Sequence, residues 1–228
     1  MISDKMNTSV AERSVRILIA DDHYVVRQGL KDVLRARFER LEFGEASDGN
    51  EALQLVWNQD WDVVLLDISM PGRGGMDALK EVKQAKPRLP VIILSMHPED
   101  QFAIRALKLG ACAYICKDSA GSNLVKGVEA ALRGERFITP SLADQMAGHL
   151  HKDHEGLPHE VLSDREYQVL CLLGSGKTVK EVAGGLSLSI KTISTYRTRI
   201  IEKMGLTNNA QIVRYVICHK LIDLEGGT

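Results

Sequence analysis

A carboxylate, Asp67, follows a short run of four apolar residues, VVLL at 63–66. Two of the four are β-branched, and such a run is typical of a strand that is buried on both faces of a parallel sheet. Pro71 and Gly72 then prevent the strand from continuing. Because open parallel sheets bind ligands just outside the carboxyl ends of their strands, Asp67 lies where chemistry is expected. Taken alone, it is equally consistent with a carboxylate that caps a loop.

Polar residues end three other apolar runs in the same way: Asp21 with Asp22, Ser95, and Lys117. Parallel strands would bring all of these side chains to the edge of the sheet that carries Asp67. Three carboxylates at one edge repel one another unless a cation joins them, and oxygen ligands of high charge density suit Mg²⁺. The group has the parts needed to hold a phosphoryl group on Asp67. Mg²⁺ and Lys117 would neutralise its oxygens, and Ser95 would donate a hydrogen bond.

Residues 15–135 alternate between strand and helix patterns. The five predicted strands are 16–20, 43–46, 63–67, 89–95 and 113–116. A helical pattern follows each strand; apolar residues recur at helical spacing from Val25 to Leu34, and Gly110 ends the helix predicted over 101–109. Five strands that alternate with five helices predict an α/β domain with a five-stranded, parallel, doubly wound (flavodoxin-like) sheet.

Composition limits the class of protein. The chain has 228 residues, of which 44% are hydrophobic and 26% charged, as in ordinary globular proteins. It contains no apolar run of the about 18–20 residues that would span a bilayer, so no membrane partner is expected. Residues 1–14 are polar and contain no apolar signal-peptide core. We expect them to form a disordered arm in a cytoplasmic protein.

The net charge of −1 conceals an asymmetry along the chain. Residues 161–228 contain 9 Lys and Arg against 6 Asp and Glu, a net charge of +3, whereas residues 1–160 contain 20 against 24, a net charge of −4. This distribution favours an acidic regulatory part followed by a basic part that binds a polyanion.

Residues 161–224 predict a small helical domain. A Ser-x-x-Glu capping box at Ser163 and Glu166 begins its first helix, and Gly174 ends that helix. Further helical patterns cover 181–186, 190–204 and 211–221. Four helices in about 60 residues, with a short one turned tightly into the next, are typical of an all-α helix-turn-helix domain.

The helix predicted over 190–204 has two distinct faces. Its apolar stripe consists of Ile193, Tyr196, Ile200 and Met204. Its opposite, polar face consists of Lys191, Ser194, Thr195, Thr198, Arg199 and Glu202. Hydroxyls and cations on this face have the chemistry to contact base edges and phosphates in a DNA major groove. The same face is also consistent with a helical bundle that binds another protein.

Three other groups of residues resemble sites but are better explained as structural. Residues 136–160 are predicted to form a linker, and its four histidines (His149, His151, His154 and His159) lack the spacing of metal ligands and are expected to be solvated. Cys112 and Cys116 are expected to be small buried thiols. Residues 174–178 resemble the end of a P-loop, but Cys171 stands where that motif needs Gly, and a helix precedes it.

Residues 15–135 resemble the receiver domain of response regulators through Ile19-Ala20-Asp21-Asp22-His23, Leu66-Asp67-Ile68-Ser69-Met70-Pro71, Ser95 and Lys117. The resemblance implies that Asp67 is the phosphoacceptor and takes its phosphoryl group from a sensor histidine kinase. It implies that Mg²⁺ is bound by Asp21, Asp22, Asp67 and the backbone carbonyl of Ser69. It also implies a switching pair, in which the Ser95 hydroxyl moves toward the phosphoryl group and the Tyr114 ring turns inward.

Residues 161–222 resemble the LuxR-type DNA-binding domain through Leu162-Ser163-x-Arg165-Glu166, Lys180-Glu181-Val182-Ala183, Lys191-Thr192-Ile193 and Glu202-Lys203-Met204-Gly205-Leu206. Together the two resemblances indicate the NarL/FixJ class of response regulators. They imply base contacts by Ser194, Thr195 and Thr198, and phosphate contacts by Lys191, Arg197, Arg199 and Lys203. Lysine is frequent in that family at the Ser194 position, so its absence here leaves the operator sequence open.

The sequence therefore predicts a transcription regulator rather than an enzyme. Phosphorylation of Asp67 would switch dimerisation and promoter binding by the C-terminal helix-turn-helix. The expected partners are a sensor histidine kinase, double-stranded promoter DNA and a second copy of the chain, with RNA polymerase as a further candidate. A phosphohydrolase of the haloacid-dehalogenase type also uses an aspartate after a strand, but it needs a second carboxylate two residues on, where this chain has Ser69.

Overall fold

The computed structural model describes residues 14–96, 101–117, 120–150, 157–219 and 221–222. The predicted N-terminal arm therefore lies outside the described residues, except for Ser14. Within the described part of the chain, the helices are too short or too polar to cross a membrane.

Five parallel strands form one sheet in the first part of the chain. They are β1 (Val15–Ala20), β2 (Leu41–Ala46), β3 (Val63–Asp67), β4 (Val91–Ser95) and β5 (Ala113–Cys116). Their order across the sheet is β2-β1-β3-β4-β5. Every residue of β3 and β4 is buried, because both faces of these apolar strands are covered. The predicted five-stranded parallel sheet is confirmed.

Five helices cover the two faces of this sheet. They are α1 (Tyr24–Arg35), α2 (Gly49–Asn58), α3 (Gly75–Ala85), α4 (Gln101–Lys108) and α5 (Ala120–Leu132). Side chains of successive strand residues point to opposite faces. Ile17 and Leu65 therefore pack with α1 and α5 in one hydrophobic cluster, whereas Leu18 and Leu66 belong to a second cluster with α2, α3 and α4.

A short connection leads from the α/β domain to the helical domain. Phe137 forms an isolated bridge with Ala113 beside β5. Helix α6 spans Pro140–Leu150, and its first residue is a proline, which is well suited to the first turn of a helix. A 3₁₀ helix, Pro158–Val161, follows the undescribed residues 151–156.

Four helices form the last part of the chain: α7 (Asp164–Gly174), α8 (Val179–Gly185), α9 (Ile190–Met204) and α10 (Asn209–Cys218). Ser163, Thr178 and Ser189 cap the first three, since each side-chain oxygen accepts a hydrogen bond from the backbone N–H three residues on. The predicted capping box of Ser163 and Glu166 is confirmed. A second box, Thr178 with Glu181, begins α8 two residues before the predicted start.

The P-loop-like stretch 174–178 is used to end one helix and begin the next. Gly174 is the last residue of α7, and Gly176 turns the chain with a φ of +87°. The Thr178 hydroxyl is engaged in the α8 capping box. This part of the chain therefore acts as a helix connection, in agreement with the sequence analysis.

Gly75 lets α3 approach the end of β3 very closely. Its backbone N–H donates to the Ile68 carbonyl at 3.2 Å. A Cβ on Gly75 would lie 2.1 Å from the carbonyl oxygen of Asp67. The absence of a side chain is therefore required to place the start of α3 against the strand that carries Asp67.

We expect Gly75→Ala to lower the free energy of unfolding by about 1–3 kcal/mol, because the added methyl group must displace backbone. Urea denaturation measures this change. The control is Gly29→Ala, at an exposed position inside α1 where a Cβ has open space. It should leave stability unchanged or raise it by up to about 1 kcal/mol. Equal stability of the two variants would contradict the close approach of α3.

Candidate functional site

Asp67 is the last residue of β3, at the edge of the sheet where the parallel strands end. Its side chain is 2% exposed, and it accepts a hydrogen bond from the backbone N–H of Ser69. In the sheet register, Leu66 pairs with Ala20 of β1, and Asp67 pairs with Leu94 of β4. The residues that end β1 and β4 therefore lie on either side of Asp67.

The acidic pair that follows β1 lies at this edge. Asp21 is fully buried, and its Oδ1 accepts a hydrogen bond from the backbone N–H of His23 at 2.8 Å. The His23 Nδ1 lies 2.9 Å from the Asp22 Oδ1. Ligand atoms of Asp21, Asp22 and His23 fall within 4.8 Å of one another. No role was predicted for His23, although it directly follows Asp21 and Asp22 in the sequence.

Lys117 joins two of the buried carboxylates. Its Nζ lies 2.6 Å from the Asp21 Oδ2 and 3.0 Å from the Asp67 Oδ1. Burial alone would lower the pKa of Lys117, but the negative charges of Asp67 and Asp21 outweigh burial and raise this pKa. Burial raises the pKa of Asp67; the charge of Lys117 opposes that rise, and the charge of Asp21 adds to it. Lys117 thus compensates the charge of Asp67 only in part.

Three buried carboxylate oxygens have few close partners among the described residues: Asp21 Oδ2, Asp22 Oδ1 and Asp67 Oδ1. Lys117 Nζ lies 2.6 Å from Asp21 Oδ2 and 3.0 Å from Asp67 Oδ1, and His23 Nδ1 lies 2.9 Å from Asp22 Oδ1. Oxygens of this charge density with few hydrogen-bond donors suit a hard divalent cation, and Mg²⁺ binds oxygen ligands. The donor set therefore fits the predicted metal. Ser69, whose carbonyl belongs to the predicted ligand set, lies two residues beyond Asp67 and is half-buried.

The two residues of the predicted switching pair are both fully buried. Ser95 is the last residue of β4 and pairs in register with Cys116, the residue before Lys117. The structure therefore brings Ser95 and Lys117 to the same sheet edge as Asp67. The Tyr114 ring points inward, into the hydrophobic cluster that also contains Phe102 of α4.

Helix α9 presents the predicted polar face to solvent. Ile193, Ile200 and Met204 are buried, and Tyr196 is half-buried. The exposed residues of the polar face are Lys191, Ser194, Thr195, Thr198, Arg199, Glu202 and Lys203. We call this set the recognition face. The hydroxyls of Thr195 and Thr198 donate to backbone carbonyls one turn earlier, at 2.9 and 3.1 Å, so their oxygens remain able to accept hydrogen bonds.

Two of the predicted phosphate contacts already have partners inside the helical domain. Arg197 Nε donates to Asn209 Oδ1, and Lys203 Nζ lies 2.7 Å from Glu166 Oε2. Although burial raises the pKa of Glu166, hydrogen bonds from Lys203 and Ser163 outweigh burial and lower this pKa. A DNA phosphate would therefore compete with Asn209 for Arg197 and with Glu166 for Lys203.

Two predictions about side chains outside these sites need correction. His159 is 1% exposed rather than solvated, because its Nδ1 lies 2.7 Å from the Tyr215 hydroxyl and its ring packs beside Tyr167. The side chains of the other three linker histidines, 149, 151 and 154, lie outside the described part of the chain. The thiols of Cys112 and Cys116 are half-buried rather than buried.

Sequence reasoning missed the residues through which the two domains touch. Arg105 donates to the carbonyl of His159, 54 residues away, and Gln168 donates to Ser69, 99 residues away. Such separations leave no local pattern in the sequence, because the contacts depend on how the two domains pack against each other.

Comparison with known proteins identifies the family of this fold and site. A family model described as "Response regulator receiver domain" matches residues 17–129, and a model described as "Bacterial regulatory proteins, luxR family" matches residues 160–216. The chain belongs to the response regulators. It combines a receiver domain with a LuxR-type DNA-binding domain, and it is a phosphorylation-regulated transcription regulator of the NarL/FixJ class. This finding favours DNA binding over a bundle that binds another protein.

Curated relatives and solved structures share nearly the whole length of the chain. Response regulator GacA of Pseudomonas aeruginosa is 32% identical over 212 residues, which are 92% of this chain and 98% of GacA. Transcriptional regulatory protein LiaR of Bacillus subtilis is 33% identical over 92% of this chain and 100% of LiaR. RcsB from Salmonella enterica serovar Typhimurium, solved on promoter rprA with the phosphomimetic BeF3-, is 28% identical with a TM-score of 0.59. That match covers 90% of this chain and 99% of RcsB.

The buried charge of Asp67 allows a test of the electrostatic arrangement. Because the pKa of Asp67 is raised in the folded protein, its ionised form opposes folding. This opposition is absent below the unfolded-state pKa, grows as the pH rises from there to the folded-state pKa, and is constant above it. We therefore expect Asp67→Asn to raise the midpoint of thermal unfolding at neutral pH, in buffer with a metal chelator, and to lose this advantage in acid.

The control for this measurement is Asp60→Asn, because the Asp60 side chain is 91% exposed. Its unfolding midpoint should stay close to that of the unmodified protein at both pH values. A lower midpoint for Asp67→Asn than for the unmodified protein at neutral pH would contradict the electrostatic arrangement.

Proposed function

We propose that Asp67 is the phosphoacceptor of this response regulator and receives its phosphoryl group from a sensor histidine kinase. The supporting observation is a buried carboxylate at a strand end, 3.0 Å from Lys117 and beside an acidic pair. A carboxylate oxygen of Asp67 attacks phosphorus, a P–O bond forms, and the P–N bond to the kinase histidine breaks. The released imidazole nitrogen keeps the bonding electron pair and takes a proton from solvent. The product is an acyl phosphate on Asp67.

In this proposal, Lys117 and Ser95 stabilise the transferred group. The Lys117 ammonium neutralises one phosphoryl oxygen, and the Ser95 hydroxyl donates a hydrogen bond to another. These interactions gain strength from burial, since charges interact more strongly away from water. Movement of Ser95 toward the phosphoryl group is coupled to Tyr114, whose ring packs in the cluster that includes α4.

The proposed Mg²⁺ ligands are Asp21, Asp22, Asp67 and the backbone carbonyl of Ser69. Support comes from the three buried carboxylate oxygens of Asp21, Asp22 and Asp67, for which Lys117 and His23 are the close partners among the described residues. When bound, Mg²⁺ supplies positive charge that neutralises phosphoryl oxygens. Asp21 would then hold the metal while its Oδ2 keeps the ion pair with Lys117.

The proposed output is promoter binding by a homodimer that forms when Asp67 is phosphorylated. Ser194, Thr195 and Thr198 contact base edges, while Lys191, Arg197, Arg199 and Lys203 contact phosphates. Two copies place their α9 helices in half-sites about one helical turn apart. We further propose that the regulator acts in the cytoplasm, contacts RNA polymerase at its promoters and has no enzymatic activity on other substrates.

We expect Asp67→Ala to abolish labelling by a small phosphodonor such as acetyl phosphate in the presence of Mg²⁺, because the attacking carboxylate is removed. Phosphate-affinity electrophoresis measures the label, and treatment with hydroxylamine identifies it as an acyl phosphate. Asp60→Ala removes an exposed aspartate and should be labelled like the unmodified protein. Persistent labelling of Asp67→Ala would place the acceptor elsewhere.

Replacing Lys191 and Arg199 together by Ala should weaken promoter binding and reduce the slope of log affinity against log salt by about 2, one for each lost phosphate contact. Genome-wide mapping of binding sites with the unmodified protein and Asp67→Ala supplies the promoter fragments, and fluorescence anisotropy over a salt series measures binding. Lys126→Ala, at an exposed position on α5, is the matched control and should change neither quantity. Unchanged binding of the double variant would contradict the assigned recognition face.

A further inference from the structure

A pocket lies at the edge of the sheet where β4 and β5 begin, and its volume is about 370 Å³. Four segments enclose it: the last turns of α3, the loop before β4, the turn between α4 and β5, and the residues after α5. Asp67 stands at the opposite edge, where the strands end. The five residues of β4 separate the two edges by roughly 15 Å, so the pocket is distinct from the site around Asp67.

Three cationic side chains line this pocket: Lys83, Arg88 and Arg136. Lys83 is half-buried, and its Nζ donates to the Leu89 carbonyl at 2.7 Å, which leaves two of its three N–H groups available. Both arginines are exposed at the rim. Within the described part of the chain, no carboxylate forms an ion pair with any of the three cations. The pocket therefore has positive charges that still lack a partner of opposite sign.

The other polar side chains of the lining do not offset this charge. Glu135 is the acidic residue of the described lining, and its Oε2 lies 2.9 Å from the Nε of Arg133, which stands outside the pocket. Its negative charge is therefore already compensated. Burial raises the pKa of the Cys112 thiol, so this thiol is protonated and uncharged at neutral pH. Its Sγ donates to the Val91 carbonyl at 3.3 Å.

The Lys83 ammonium is disfavoured by its surroundings in the empty pocket. Burial lowers the pKa of Lys83, and the positive charge of Arg136 lowers this pKa further. An anion between the two side chains would compensate both charges at once. Clefts lined by charges of one sign also concentrate ions of the opposite sign from solution. The electrostatics of the pocket therefore favour an anionic ligand.

The backbone holds the shape of the pocket before any ligand enters. Gly110 has a φ of +100°, and a Cβ on it would lie 3.4 Å from the Lys83 Cγ, so the turn between α4 and β5 packs on the aliphatic stem of Lys83. Pro87 and Pro90 restrict the loop before β4, because the proline ring fixes φ. A ligand that enters a preformed pocket loses less free energy to ordering of the protein.

The lining also indicates which anion fits. A guanidinium can bind a phosphate group through two parallel hydrogen bonds, and a lysine ammonium binds it as a point charge. Three cations suit an anion with two phosphate groups better than a single carboxylate. Among the described residues, no aromatic ring lines the pocket, so a nucleobase would have no ring to stack on. Pro90 and Leu109 offer a small apolar surface instead.

We propose that this pocket binds a small organic molecule with two phosphate groups, a diphosphate or a bisphosphate. Its phosphate groups contact Lys83, Arg88 and Arg136, and its aliphatic or sugar part lies on Pro90 and Leu109. The ligand touches α3, the start of β5 and the residues after α5, so its binding stabilises the folded receiver domain. This second site is independent of the proposed role of Asp67.

The test is isothermal titration calorimetry of the full-length protein with sodium pyrophosphate in metal-free buffer. The unmodified protein should bind one pyrophosphate per chain. Arg88→Ala and Arg136→Ala should each weaken binding about 10-fold, the effect of losing one hydrogen bond to a charged group. Both residues are exposed, so these variants should fold normally. Lys83→Gln keeps a donor for the Leu89 carbonyl and should weaken binding at least as much.

Two further variants separate this pocket from general attraction to a cationic surface. Glu135→Gln removes the acidic side chain of the lining and frees Arg133, so it should tighten pyrophosphate binding. Lys126→Ala removes an exposed cation of α5 that does not line the pocket, and its affinity should equal that of the unmodified protein. Sulfate at equal ionic strength should bind more weakly than pyrophosphate.

Nuclear magnetic resonance of the ¹⁵N-labelled protein locates the bound anion. Pyrophosphate should shift the backbone amide signals of Gly110, Cys112 and Gly134, which line the pocket. Absence of binding, or equal affinity of Arg88→Ala, Arg136→Ala and the unmodified protein, would overturn the proposal. Signals that shift only in α9 would also overturn it, because they would place the anion on the recognition face. Equal affinity for sulfate and pyrophosphate would refute the need for two phosphate groups.

Discussion

The ammonium group of Lys117 holds together two buried carboxylates whose negative charges would otherwise repel each other. Asp21 directly follows β1, Asp67 ends the neighbouring strand β3, and both are almost completely shielded from water. Charges in such surroundings are costly unless a partner of opposite sign is close. The strands themselves are apolar and buried, and polar residues such as Asp67 and Ser95 stand only where these strands end. This edge of the sheet is therefore a dense group of charges inside an otherwise apolar domain, and it is sensitive to any added charge.

Most of the α/β domain could be predicted from the sequence because its strongest signals are local. Continuous apolar runs predicted β3 and β4, and right-handed parallel topology brings the ends of such strands to one edge. That rule alone predicts that Asp21, Asp67 and Ser95 lie at the same edge of the sheet. The edge strand β2 was less distinct, because Leu41–Ala46 contains two glutamates and a glycine and is mostly half-buried. Its predicted start was accordingly two residues late.

The remaining features could not be predicted, because they depend on contacts between distant parts of the chain. His159 lies in a segment with the composition of a linker, but its ring packs with Tyr167 and Tyr215 of the folded helical domain. Helical periodicity correctly separated the two faces of α9. It contained no information on the partners of Arg197 and Lys203, which come from α10 and α7. Periodicity reports which face is exposed, whereas tertiary packing decides which exposed cations are already engaged.

The hydrophobic cluster on one face of the sheet extends into the DNA-binding domain, where Tyr167 meets Phe102. Domains joined by a linker commonly melt as independent units, each with its own transition. Here, unfolding of α7 would expose the side of α4 that packs against it, and unfolding of α4 would expose the buried side of α7. Unfolding of one domain therefore removes packing contacts from the other, and the two unfolding transitions are coupled. A ligand of one domain that keeps the interface closed would protect both against heat, and one that opens it would make their melting independent.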